Sequence, residues 1–206
     1  MESIMILDRY EYIERACVTG NVAKDAEALM CRNGKTKTFE HMSDVAKVSV
    51  SLAKRFGADE EKCFTAAMLH DISTVIRPAD MLLYIRACGS ALCEAEERFP
   101  FLLHQRLSAV IAEEYFVITD SEILSAIACH TTLKSEASVY DMILFIADKL
   151  AWDQEGTPPF YDAVASALND SLEKACYAYM CYMEESGRLL CPHTDWIEAK
   201  KWLSGK

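Results

Sequence analysis

At 206 residues and 51% apolar side chains, the chain favours one domain with an ample core, and 7 glycines with 5 prolines are too few for a fold dominated by strands and tight turns. A formal charge of −11, from 21 Lys and Arg against 32 Asp and Glu, argues against a general nucleic-acid binder. Any anionic ligand must then be drawn by local cations.

The nine cysteines include no CxxC pair, and they read as reduced, mostly packing thiols. The N-terminal stretch lacks the basic and apolar regions of a signal peptide. The longest fully apolar run, Met142 to Ala147, is far too short to span a bilayer. The expectation is a soluble cytoplasmic protein with neither membrane nor nucleic-acid polymer as partner.

Along the chain the periodicity is helical. The segment before about Gly34 is the least defined, with "CRNGK" as a turn. From His41, the residues Val45, Val48, Leu52 and Phe56 follow at helical steps and predict one buried face, closed at Gly57. Asp59 is the expected N-cap of the next helix, "EEKCFTAAMLHD", apolar nearly all round as a central helix is. "IRPADMLLYIRACG" predicts a helix with Pro78 in its first turn and a stop at Gly89. His104 opens the helix "LLHQRLSAVIAEEYF". "TDSEILSAIACH" carries Thr119 and Glu122 at capping-box spacing and puts His130 on its apolar face. "SVYDMILFIADKLAW" is a further buried helix. "GTPPF" breaks the pattern, and Thr157 with Pro158 restarts it. A long helical stretch from about Tyr161 to Ser186 follows, then a terminal helix "HTDWIEAKKWL". The fold class is all-α, a helical bundle. Residues 1–206 form a single domain, its core at about 38–153 and C-terminal helices at about 158–203 packing on it.

His41, His70, Asp71, His104, His130 and Asp148 all fall at ends or inner faces of apolar helices. Singly, such a histidine is usually bonded to a carbonyl and such an aspartate is a cap or half an ion pair. Six together in one bundle call for a metal, because neutral imidazoles and carboxylates are its ligands and the ion neutralises the buried anions. His70 and Asp71 point about 100° apart on a helix. At a helix end both still reach one cleft, and Asp71 is placed to bridge two ions. The donor set suits iron, manganese or zinc better than magnesium alone.

The order His41, His70-Asp71, His104, His130, Asp148 resembles the HD superfamily of metal-dependent phosphohydrolases, with its H…HD…D pattern. More narrowly it resembles the YqeK-type symmetrical bis(5'-nucleosyl)-tetraphosphatases. The segments that carry this are "FEHMSDVAKVSVSLAKRFG", "AAMLHDIS", "LLHQRLSAVIAEEYF", "EILSAIACHTT" and "DMILFIADKL". The resemblance implies an HD-domain bundle with a dinuclear divalent metal centre, iron first and manganese or zinc as alternatives. His41, His70, Asp71 and Asp148 would hold one ion, and His104 and His130, with Asp71 bridging, the other. Asp71 would be the catalytic residue, orienting the attacking water. A nucleotide would be the substrate, diadenosine tetraphosphate cut to two ADP being the best single candidate. Lys149 would meet phosphate, or else be a solvated surface lysine. Thr131 and Thr132 would line the pocket, and Arg77 and Arg106 would offset substrate charge.

The chain departs from that pattern on the substrate side. Thr38 stands where an arginine is usual, Thr74 where a lysine is, and Leu133 where a glycine is. Ala151, Trp152 and Gln154 stand where glutamate, proline and arginine are usual. Two other readings follow: a nucleotide-binding or signalling HD protein with a metal site but little turnover, and a purely structural bundle. Oligomeric state is left open, a homodimer being compatible with the sequence.

Overall fold

A computed structural model describes residues 5–152 and 154–206. Met1–Ile4, at the start of the N-terminal reading, and Asp153, within the "WDQEGTPPF" break, lie outside the described residues. The described residues are helical, without strands: α1 (Val22–Arg32), α2 (Thr36–Phe56), α3 (Glu60–Leu69), α4 (Pro78–Ala87), α5 (Glu94–Arg98), α6 (His104–Glu114), α7 (Ser121–Cys129), α8 (Val139–Leu150), α9 (Tyr161–Ala167), α10 (Leu172–Glu185) and α11 (Thr194–Leu203). Short 3-10 turns lie at Ile6–Arg9, Ile72–Val75 and Pro100–Leu103.

At the centre, α3 and α8 pack on each other and each against both α2 and α7, with α1 against α2 and α3 and α6 against α7. On the far side α10 packs against α8 and α9, and α11 against α10. The central position of α3 follows from its composition: Cys63 and every residue from Thr65 to Leu69 are buried. α8 buries the unbroken run Asp141 to Ala147, where each large apolar side chain contributes about 1.5–3 kcal/mol. No helix among the described residues is long and apolar enough to cross a membrane.

Most helix signals act as expected. Gly57 ends α2 at φ 69°, a left-handed conformation natural to glycine. The Asp59 carboxylate accepts from Glu61 N at 2.8 Å and Lys62 N at 3.0 Å at the start of α3. Pro78 opens α4.

Others differ. Asp120, not Thr119, caps α7, accepting from Glu122 N at 2.9 Å. α9 begins at Tyr161 after Phe160, so Thr157 does not cap it. The stretch from Tyr161 to Ser186 is two helices. Ser171 accepts from Lys174 N at 3.1 Å and starts α10, while Arg55 Nη2 donates to Leu168 O at 2.7 Å at the end of α9. The apolar period runs through Leu168 and Leu172 and conceals this break. α1 occupies the segment that the sequence leaves least defined: Asn21 caps it by accepting from Lys24 N at 3.1 Å, and Ala26, Leu29 and Met30 lie on its buried face. All nine cysteines are free, but only Cys63, Cys129 and Cys176 are buried, so most are not core packing.

Candidate metal centre

Five elements deliver the six side chains. His70 caps the C-terminus of α3, and Asp71 follows as the chain tightens into the 3-10 turn. Ser73 fixes that turn, its Oγ donating to His104 O at 2.8 Å and its N–H to Ser108 Oγ at 3.1 Å. His104 opens α6, His130 caps α7, and His41 and Asp148 stand within α2 and α8.

Three of the imidazoles are oriented alike. His70, His104 and His130 each turn Nδ1 to the carbonyl three residues earlier: Ala67 O at 2.7 Å, Phe101 O at 2.6 Å and Ile127 O at 2.8 Å. A carbonyl only accepts, so Nδ1 carries a proton in each. In the neutral ring the Nε2 lone pair then points inward.

These nitrogens converge on the carboxylates. Asp71 Oδ1 lies 3.3 Å from His104 Nε2 and 3.7 Å from His130 Nε2, and its Oδ2 lies 3.7 Å from His70 Nε2. Asp148 Oδ1 is 2.9 Å from His41 Nε2 and 3.6 Å from His70 Nε2. His70 Nε2 is buried without a hydrogen-bond partner. Two groups of donor atoms, one each from His41, His70 and Asp71, and from Asp71, His104 and His130, each lie within 4.8 Å of one another, and Asp71 belongs to both.

The electrostatics ask for a cation. Burial disfavours the charged form of His130 and, with the neighbouring histidines, pushes its pKa down to about 4. Burial likewise lowers that of His104 against the pull of Asp71. Both rings are therefore neutral near pH 7, yet their Nε2 atoms stand 3.0 Å apart, and two lone pairs cannot bond each other. Burial works against ionised Asp71, but the charge of His70 above all outweighs it and holds its carboxyl well below the usual range. Asp148 is also held low: burial opposes the charge, and Lys149, His41 and His70 prevail. His70 is depressed by burial but raised more by Asp71 and Asp148. Two half-buried anions and inward lone pairs fit a divalent ion bound by nitrogen and oxygen.

The other expected residues divide. Lys149 is not a solvated surface lysine: its side chain is 13% exposed, paired with Asp148 and set over the Phe145 ring. Thr131 Oγ1 lies 3.2 Å from His104 Nε2, at the centre. Thr132 does not line the pocket. It is buried and takes a hydrogen bond from Gln105 Nε2 at 3.1 Å. Arg106 is also elsewhere, donating to Glu96 Oε1 at 2.9 Å and Ala91 O at 3.1 Å in a cleft with His193. Two residues after His104 on a helix, it points about 200° away. Arg77 lies over Tyr12, 4.1 Å from the ring centroid, beside the cluster rather than in it.

Sequence reasoning missed Gln105, whose Oε1 accepts from Thr131 N at 3.0 Å and Thr132 N at 3.3 Å and sets the turn after His130. It also missed Phe101, stacked on His104 at 4.5 Å between centroids. No periodic signal marks either residue. Leu133, where a glycine is usual, has φ 58° and is fully buried. The left-handed backbone explains the glycine, and burial of the leucine offsets its strain.

The HD-domain profile matches residues 38–153, from just before the first histidine of this cluster to beyond the last aspartate. The chain belongs to the HD-domain family. It is therefore an HD-type metal-dependent hydrolase, and the His/Asp cluster is where this HD protein would hold its divalent metal. An uncharacterised protein encoded in the pepC 5' region of Lactococcus lactis subsp. cremoris is 37% identical over 147 residues, 71% of this chain and 75% of its own. The protein named symmetrical bis(5'-nucleosyl)-tetraphosphatase in Bacillus subtilis is 24% identical over 172 residues, 82% of this chain and 92% of its own. A crystal structure from Clostridium acetobutylicum, of an HD superfamily hydrolase described as involved in NAD metabolism, matches with a TM-score of 0.79. It covers 88% of this chain and 96% of its own at 24% identity, a likeness of fold.

Proposed function

We propose that this HD protein hydrolyses a dinucleoside polyphosphate symmetrically, diadenosine tetraphosphate to two ADP being the leading candidate. The observation that carries the reading is the convergence of inward imidazole lone pairs on two half-buried carboxylates. The name of the Bacillus subtilis relative supports the substrate class.

His41, His70, Asp71 and Asp148 would hold one ion, and Asp71, His104 and His130 a second, iron first with manganese or zinc as alternatives. Divalent metal supplies Lewis acidity at the phosphoryl oxygens and a lowered pKa for water. Asp71, in both triads, orients the attacking water and fixes the spacing between them. Lys149, held beside Asp148 over an aromatic face, offsets phosphate charge. Thr131, beside His104, is placed to donate to a phosphoryl oxygen. Water adds to phosphorus, the central anhydride bond breaks, and one ADP leaves as the other is formed. The chain would act as one cytoplasmic domain.

The test joins elemental analysis to a screen of dinucleoside polyphosphates, nucleoside mono- to triphosphates and generic phosphodiesters. Bound transition metal and ADP as sole product from diadenosine tetraphosphate are expected. Thr38 and Thr74, uncharged where cations are usual, favour a second reading, nucleotide binding with little turnover. Tight binding without product would establish that instead.

A further inference from the structure

Beside the centre lies a cavity of about 520 Å³ between the N-terminal segment and the turn that follows Asp71. Tyr12, Arg32, Lys35, Thr74, Arg77 and Phe101 are among the residues that line it. Its size is that of ordinary small-ligand pockets. Three observations bear on what it takes.

The first is contact with the centre. Phe101 lies parallel to the His104 ring, 18° between planes, while remaining 50% exposed. Thr74 Oγ1 donates to Asp71 O at 2.8 Å. An open aromatic face thus stands one ring away from a candidate metal ligand.

The second is charge. Arg32, Lys35 and Arg77 make no ion pair among the described residues. Glu14 is the single acid lining the cavity. In a chain of net charge −11 with 32 carboxylates, three unpaired cations around one hollow mark a place for an anion. Lys35 lies three residues before Thr38 and Arg77 three after Thr74, the positions where cations are absent.

The third is a counterpart at the other end of the centre. There His41 and Asp148 open on a cavity of about 230 Å³ lined also by Trp152, Phe160 and Tyr179. One cavity adjoins the His41 triad and the other the His104 triad. A substrate cut at its midpoint needs room for a nucleotide on both sides of the reacting phosphorus.

We propose that the cavity of Lys35, Arg77 and Phe101 is a nucleoside-polyphosphate subsite. Phosphates meet Lys35 and Arg77, and the base lies on Phe101. The subsite rests on the dinucleoside polyphosphate reading. It makes Phe101 a specificity determinant and gives a binding role to Arg77 and Lys35 in place of the cations absent at residues 38 and 74.

The test compares wild type, a Lys35→Gln/Arg77→Gln double variant and Phe101→Ala, all metal-loaded. Substrates are diadenosine tetraphosphate and bis(p-nitrophenyl) phosphate, the latter too short to fill both the centre and the cavity. For the double variant, KM for the tetraphosphate should rise by about tenfold or more, the weight of charge-assisted contacts partly screened by solvent. Its kcat should change far less, and the loss in kcat/KM should exceed that on the short diester by about tenfold. Phe101→Ala should raise KM about fivefold or more, as loss of base stacking does, with recovery in Phe101→Trp. Equal losses on both substrates, or none on the tetraphosphate, overturn the subsite while leaving hydrolysis in place. If wild type cleaves neither, the hydrolase reading fails by itself. Calorimetric binding of ATP then decides the subsite: affinity about tenfold weaker in the double variant supports it, and equal affinity or no binding to wild type overturns it.

Discussion

Asp71 is the one side chain shared by both candidate triads, and that makes a count possible. Asp71→Asn keeps the shape of the side chain and removes the anion 3.3 Å from His104 and 3.7 Å from His70. An ion bound at a hundredfold above its Kd stabilises by about 2.7 kcal/mol. In a chain of this size each kcal/mol moves Tm by about 2–4 °C. Each triad should therefore add about 5–11 °C, and both about 10–20 °C. Differential scanning fluorimetry of chelator-stripped protein, with and without added metal, reads the shift, and elemental analysis reads the ions per chain. Wild type should show the full shift and two ions, and His104→Ala and His41→Ala a partial shift and fewer ions. Asp71→Asn should show almost no shift while its stripped form keeps a native circular dichroism spectrum. Wild-type metal content and thermal shift in Asp71→Asn would refute the assignment of Asp71 as the shared ligand.

Further outcomes follow from other groups. Burial opposes the ionised form of Glu96, yet His193, Arg106 and Cys93 N–H hold its pKa at about 2 against an ordinary 4.5. A depressed carboxylate stabilises the fold above its unfolded pKa and loses that contribution as pH falls toward the folded value. The difference is about 3 kcal/mol, so urea midpoints should fall between about pH 4.5 and 2, and Glu96→Gln should be destabilised at pH 7 and less sensitive in that window. Gln105→Ala should leave Thr131 N and Thr132 N without their acceptor and cost about 1–3 kcal/mol in urea unfolding. It should also lower kcat, because the turn carrying His130 loosens. Val117, at φ 57° and 71% exposed, is a β-branched residue in a left-handed conformation with little burial to lose. Val117→Gly should therefore raise the unfolding free energy in urea titration by up to about 1 kcal/mol, whereas Leu133→Gly, which empties a buried site, should lower it.

The candidate centre was legible because its ligands are chemically out of place in apolar helices, and a histidine or aspartate there stands out in any one-dimensional reading. The helices with clean punctuation, such as α3 after Asp59 and α4 from Pro78, were legible for the same reason. Direction was harder to read. Arg106 is near His104 in sequence but on the opposite face, and Thr132 follows His130 yet turns inward to Gln105. The break between α9 and α10 hides because apolar spacing continues across it. Phe101 shows the remaining gap: an exposed aromatic acquires meaning only once the ring beneath it is known.

The carbonyls that orient His70, His104 and His130 have an evolutionary consequence. Each imidazole is braced by main chain belonging to its own local turn, at Ala67, Phe101 and Ile127. A point mutation can remove a supporting side chain, but it cannot remove a peptide carbonyl. The ligand geometry is thereby insulated from much sequence drift, provided the helical turns themselves hold. The proposed substrate side has no such insulation, being set by side chains at positions such as Thr38, Thr74 and Trp152. A lineage with this scaffold can change what it accepts, one residue at a time, while its chemistry stays in place.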